Sequence, residues 1–139
     1  MKKTLLVLLL IMGTQISYSQ VIRDFKTKNA NNITDRTMML DILRASLYED
    51  YKQEFIFVVE HFKVSDSYAW FQGTAQRKDG KPIKFEYDGA NTDYVTCLFK
   101  RSNGKWYIVE SDAFGTDVWW YGIDSRYPAA PKKIFTAID

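Results

Sequence analysis

Apolar residues recur at helical spacing in one stretch of the chain and at alternating spacing in those that follow. Met39, Ile42, Leu43 and Leu47 fall on one stripe, flanked by Met38 and Tyr51, while Asp41, Arg44 and Glu49 point elsewhere. The pattern predicts one amphipathic helix, capped by Thr34 or Asp35 and ending near 51–53. From Glu54 the period shortens and the residues become aromatic and β-branched. Phe55–Val64 reads as a first strand, nearly continuous in apolar residues at its start and so covered on both faces there. After a Ser65-Asp66-Ser67 turn, Tyr68–Gln76 is a second strand. Asp79-Gly80 signals a tight turn into a short third strand, Ile83–Tyr87, with Pro82 at its start. Asp93–Arg101 is a fourth strand, and Asn103-Gly104 turns the chain into a fifth, Lys105–Ser111.

No connection in this series has room for a parallel crossover, so the strands form an antiparallel meander. In the tail, Thr116-Asp117 caps a short helix through Tyr121 or Gly122, Pro128 and Pro131 bound the next turn, and Lys132–Thr136 forms a last helical turn. The predicted fold class is α+β: one N-terminal helix packed on a curved antiparallel meander of four to five strands, with a short helical C-terminal tail.

The beginning of the chain follows another rule. Lys2 and Lys3 precede an apolar run, Thr4–Met12, and Ser17-Tyr18-Ser19 supplies small residues for cleavage before Gln20. This is the pattern of a secretory signal peptide over residues 1–19, and the run is shorter than the roughly 20 apolar residues of a membrane anchor. Residues 20–33 mix Lys, Asn and Asp and read as a flexible leader, and 34–139 as a single domain. The expected location is periplasmic or secreted, soluble after cleavage and without a membrane anchor, since no acylatable cysteine follows the apolar run.

Charge shifts with that reading. Two of the 19 basic residues are Lys2 and Lys3, so their removal leaves the rest level with the 17 acidic ones. A neutral domain with mixed charges gives no electrostatic reason for a nucleic-acid partner. Cys97 is the single cysteine and sits in an apolar strand, which makes it a buried small hydrophobe and excludes an internal disulfide.

The catalytic inventory is short. The chain holds no Gly-rich phosphate loop, no His-x-x-x-His and no Cys-x-x-Cys, so no metal or cofactor is expected. Glu60 and His61 are adjacent on a strand and should face opposite sides of the sheet, too far apart in direction for an acid–base pair. Glu110 and Asp112, at alternate spacing, should share a face, and are the weak catalytic candidates. The competing reading has both solvated at the sheet end and Asp117 capping the tail helix.

Four Trp, nine Tyr and nine Phe make aromatic rings the more informative feature. Trp119-Trp120-Tyr121 cannot all be buried by one face of a short helix, so at least one ring should line a cleft or the surface. Trp119, Trp120, Arg126 and Tyr127 are therefore the ligand-binding candidates, with closure of the sheet by the tail as the alternative. Arg126 is expected to pair with Asp117 or Asp124, or to clamp an anion. Asn32-Ile33-Thr34 matches the glycosylation tripeptide, though a capping role accounts for it.

Several stretches resemble a family of small, exported, uncharacterised bacterial proteins: Phe57–Val64, Tyr68–Phe71 with Gly73, Asp79–Ile83, Leu98–Arg101 with Gly104-Lys105-Trp106, and Thr116–Trp120 through Arg126-Tyr127. The resemblance covers residues 36–135 and implies a cystatin-like or nuclear-transport-factor-like fold, with no assigned activity. The leading expectation is an exported binding or interaction module for an unknown small ligand or protein partner. One alternative is a small enzyme using carboxylates in a pocket between sheet and tail. The other is a protein inhibitor or immunity-like partner.

Overall fold

The computed structural model describes residues 20–87 and 89–136, so the signal-peptide reading of 1–19 lies outside the described residues. The chain is α+β. A helix, α1 (Ile33–Tyr51), lies on one face of a five-stranded antiparallel sheet ordered in sequence: β1 (Arg23–Asp24), β2 (Phe55–Val64), β3 (Tyr68–Arg77), β4 (Tyr94–Ser102) and β5 (Lys105–Ala113). A short helix, α2 (Ile123–Arg126), and a 3₁₀ turn (Lys132–Ile134) complete the tail, which packs on the sheet's other face.

The helical stripe of Met39, Leu40, Leu43 and Leu47 is buried against Phe55, Phe62, Phe71, Cys97, Phe99 and Trp106. Alternation along each strand sends these residues to the helix side and their neighbours to the tail side. Cys97 is fully buried here, and burial pushes its thiol pKa well up, which leaves it an inert apolar filler. At the β4–β5 hairpin both Asn103 and Gly104 have positive φ, 52° and 74°, the geometry of a tight turn that matches strand twist.

Three expectations need correction. The helix begins at Ile33, ahead of the start that a Thr34 or Asp35 cap implies, and Asn32 stands at its N-cap. Asn32 is 4% exposed, and its side chain accepts from the Asn29 amide and donates to the Thr27 carbonyl, so it organises the preceding turn. An amide nitrogen spent and buried in this way is closed to glycosylation.

The leader is also docked. Arg23 and Asp24 pair with Val64 and Lys63, the Phe25 amide donates to the Phe62 carbonyl, and the Phe25 ring is buried edge-on against Phe62. Arg36 of α1 donates to the Phe25 and Lys26 carbonyls, turning the chain off the sheet edge toward the helix. The fifth strand thus comes from the leader.

The expected strand at Ile83–Tyr87 is absent from the sheet. Its would-be neighbour β3 is already flanked by β2 and β4, and the Ala75 amide donates to the Asp93 carbonyl, so no edge is open. Ile83 and Phe85 still turn inward to the core. Gln53 replaces a ladder rung there: its side-chain amide donates to the Lys84 carbonyl and accepts from the Lys84 amide. The backbone of Lys84 is thereby satisfied without a strand partner.

Candidate functional site

Two irregularities decide what the tail face presents. The β2–β3 register slips between Val59 and His61, making Glu60 the extra residue of a β-bulge. A matching slip between Leu98 and Phe99 places Val109 as the extra residue in β5. Because of the first bulge, Glu60 and His61 both reach the tail face, against the simple alternation expected of adjacent strand residues. Glu60 accepts from the Tyr94 hydroxyl at 2.8 Å, while His61 Nε2 donates to the Ile134 carbonyl at 2.6 Å and so pins the 3₁₀ turn. A carbonyl can only accept, which places the His61 proton on Nε2. Burial holds the imidazole pKa below its ordinary value, partly offset by that carbonyl.

Trp70 and Leu98 form the floor under the tail, at 1% and 0% exposure, and Ile123, Ala130 and Ile134 cover them. Trp119 stands edge-on to Trp70 at 5.8 Å and donates from Nε1 to the Thr96 hydroxyl at 2.8 Å. Tyr121 has no place on this face and is 87% exposed. The tail turns through Gly122, whose φ of 72° starts α2 after Trp120, where helix had been expected from Thr116.

The sequence-predicted residues divide into two groups. Glu110 and Asp112 do share the tail face, in register with Leu98 and Thr96. Glu110 is engaged by the tail: it accepts from the Tyr127 hydroxyl at 2.7 Å and faces Arg126 at 3.4 Å. The Tyr127 pKa is raised by that hydrogen bond, with burial adding to it. Arg126 also donates to the Trp119 carbonyl and lies over the Trp119 ring. Its partner is therefore Glu110, where Asp117 or Asp124 had been expected. Trp119 fastens the tail to β4 through Thr96, and Arg126 and Tyr127 fasten it to β5 through Glu110.

Asp112 and Trp120 belong to something else. Where the tail leaves β5, an open cleft of about 280 Å³ remains, lined by Tyr94, Thr96, Asp112, Thr116, Asp117 and Trp120 among others. Phe114 makes this possible. Its φ of 67° is a costly conformation for a bulky residue, and it sends the ring into the helix-side core while the backbone swings round the sheet end. The Phe114 carbonyl accepts from the Thr92 amide and the Gly115 carbonyl accepts from the Thr92 hydroxyl, which fixes the turn. Gly115 lets the Asp112 carboxylate lie close, since a Cβ there would meet its Oδ2 at 2.8 Å.

The Tyr94 and Trp120 rings are close to parallel, 10° apart with centroids at 6.3 Å, and Trp120 is backed by Trp70 and Trp119. Among the described residues no Lys, Arg or His lines the cleft. A larger hollow of about 710 Å³ opens beside the loop after β3, but no Tyr or Trp lines it and its Arg77 is held by Asp79 and the Pro82 carbonyl.

Tyr94 and Thr96 are cleft members that the sequence reading passed over, and Glu60, weighed there only beside His61, stands behind Tyr94. The alternation of Tyr94, Thr96 and Leu98 against Val95, Cys97 and Phe99 carries a signal for the first two. Nothing local marks Glu60, whose position depends on the bulge.

Among the described residues no helix is long and apolar enough to cross a membrane, and no group of three or more His, Cys, Asp or Glu is placed to hold a metal. No family model, curated protein or solved structure matches the chain.

Proposed function

We propose that the protein is an exported binding module whose small ligand occupies the cleft beside Tyr94 and Trp120. The observation that carries this reading is the division of labour in the tail. Trp119, Arg126 and Tyr127 are consumed in fastening it to the sheet, whereas Asp112, Asp117 and the Trp120 ring are left around an open space. A volume of about 280 Å³ lies at the small end of ligand pockets, which run from roughly 300 Å³ upward. Export rests on the N-terminal pattern of residues 1–19, and kinship with the cystatin-like exported family on the stretches quoted above.

The enzyme reading finds less support, because Glu110 is saturated by Tyr127 and Arg126 and so is not free to share a proton with Asp112. Trp120 makes the binding reading testable by tryptophan fluorescence and by chemical-shift mapping against a library of small polar molecules. A binder should perturb the Trp120 and Tyr94 resonances and leave Trp106, on the opposite face, unmoved. Perturbations centred on Trp106 or on the loop after β3 would overturn the assignment.

A further inference from the structure

The two outer edges of the sheet are finished differently. At β5 the edge is interrupted by the bulge at Val109, and Tyr127 and Arg126 of the tail close over Glu110. Such interruptions and covers keep a native edge from pairing with a foreign strand. The outer edge of β2 lacks them along most of its length. β1 pairs only with Lys63 and Val64, and the Phe25 amide meets the Phe62 carbonyl before the chain turns away to α1. Among the described residues no strand and no backbone hydrogen bond reaches the outer side of Phe55–His61. The bulge at Glu60 falls at the far end of that stretch, and Phe55–Val59 holds no Lys and no Pro.

A free edge offers N–H donors and C=O acceptors in series, which an extended chain satisfies as a ladder. The side chains on both sides of this edge fit the same occupant. Ile56 and Val58, 45% and 48% exposed, stand on the tail face where the tail does not reach. On the helix side a groove of about 500 Å³ runs between α1 and the edge, lined by Ala45, Tyr48 and Phe55 with Asp41 and Arg44. Arg44 is held by Asp41 at 2.9 Å and lies over the Phe57 ring, so its charge is already balanced. A strand added here sends alternate side chains into the groove and onto Ile56 and Val58. The ends of the edge choose between occupants. Glu54 and Glu60 bracket the apolar run. A second copy pairing antiparallel through its own β2 would set Glu54 against Glu60 at both ends, and like charges directly opposite destabilise a pair. A segment with basic residues at the same spacing gains from both carboxylates.

We propose that the β2 edge takes up an extended segment of another protein as a sixth strand, one with apolar β-branched residues in alternation and a Lys or Arg at each end. Main-chain bonds to Phe55–His61 hold it, the α1 groove and the Ile56–Val58 surface select its side chains, and Glu54 and Glu60 select its ends. The edge lies outside the cleft beside Trp120, so failure of either site leaves the other standing.

Amide-resolved NMR titration and hydrogen exchange with three blocked heptapeptides test this: alternating valine and threonine with a lysine at each end, the same with a glutamate at each end, and a fully N-methylated copy of the first. The lysine peptide should shift and protect the amides of Phe55–His61 and leave those of β5 and Trp120 unmoved. The glutamate peptide should be weaker by about two- to fivefold for each like-charge contact. The N-methylated copy keeps the side chains but has no N–H to give, and should not bind. Val58→Lys and Ile56→Lys, both at exposed positions, put charge on the edge and should each abolish binding, whereas Tyr107→Lys on β5 should spare it. Equal binding of the N-methylated copy would overturn strand addition, and equal binding of the glutamate peptide would overturn the basic class of partner. A dimer that grows with concentration in sedimentation and protects the same amides would overturn the proposal in favour of a second copy. Protection confined to β5, or none from the lysine peptide at millimolar concentration, would overturn it outright.

Discussion

The two faces of the sheet are closed in different ways. On one, a helix of 19 residues lays a continuous apolar stripe over Phe62, Phe71 and Phe99, with near-complete burial and polar contact confined to Arg36 at the leader. On the other, the tail has only two short helical pieces and compensates with point fastenings: His61 to the Ile134 carbonyl, Trp119 to Thr96, Tyr127 and Arg126 to Glu110. Area closes the first face and directed bonds close the second. Hydrophobic burial is non-directional and leaves no gap where shapes match. Directed bonds fix particular points and leave space between them, and the Tyr94–Trp120 cleft is such a space.

The contrast can be broken from the helix side first. Phe62→Ala removes a fully buried ring that touches Phe25, Phe71 and Phe99, and should cost about 3–5 kcal/mol in chemical denaturation. Because the loss reaches β1, α1 and the sheet together, every probe should report one transition at a lower midpoint. Separate transitions for helix and tail would show that area does not unite that face.

A tail fastening should respond on a smaller and more local scale. Thr96→Val keeps the volume but deprives Trp119 Nε1 of its acceptor, at about 0.5–1.5 kcal/mol. Hydrogen exchange should quicken in residues 118–135 while the amides of α1 keep their protection. Uniform loss of protection would make the tail part of the main cooperative unit.

The mildest perturbation is pH. Burial lowers the His61 pKa, so the folded chain binds fewer protons than the unfolded chain as pH falls through the ordinary histidine range. The contribution is complete above that range and is lost as pH falls toward the lowered value. His61→Gln keeps a donor for Ile134 without the titration, so the wild type should lose stability relative to it as pH falls through and below the ordinary histidine value of about 6.5. Parallel curves for the two would remove His61 from the tail's acid response.

The same contrast explains what could be read in advance. Met39, Leu43 and Leu47 announced the helix because burial by area leaves a periodic trace in sequence. Asn103-Gly104 announced its hairpin because the turn needs positive φ at both positions. Phe25 gave no such trace: a single apolar residue among Lys, Asn and Asp docks through Phe62 and Arg36, which lie far along the chain. The Ile83–Phe85 alternation was genuine but described core contact, not strand pairing, since Gln53 supplied the rung. Among the candidate residues, Asp112 and Trp120 both lie on the tail face, and the shared face of Glu110 and Asp112 followed from spacing alone. Their separation into an engaged carboxylate and a cleft carboxylate depended on where Tyr127 and Arg126 land after the turn at Gly122. The facing of Glu60 was misjudged because one inserted residue reverses the facing of everything before it.

The grouping of Trp70, Trp119 and Trp120, with ring centroids 5.8 to 6.3 Å apart, also has an optical meaning. Indoles at such separations couple their excited states and pass energy among themselves before any one emits. Trp106 lies on the far side of the sheet and stands outside the set. The chain therefore carries a chromophore whose circular dichroism belongs to the docked tail as a unit. That signal reports tail docking separately from the helix signal of α1.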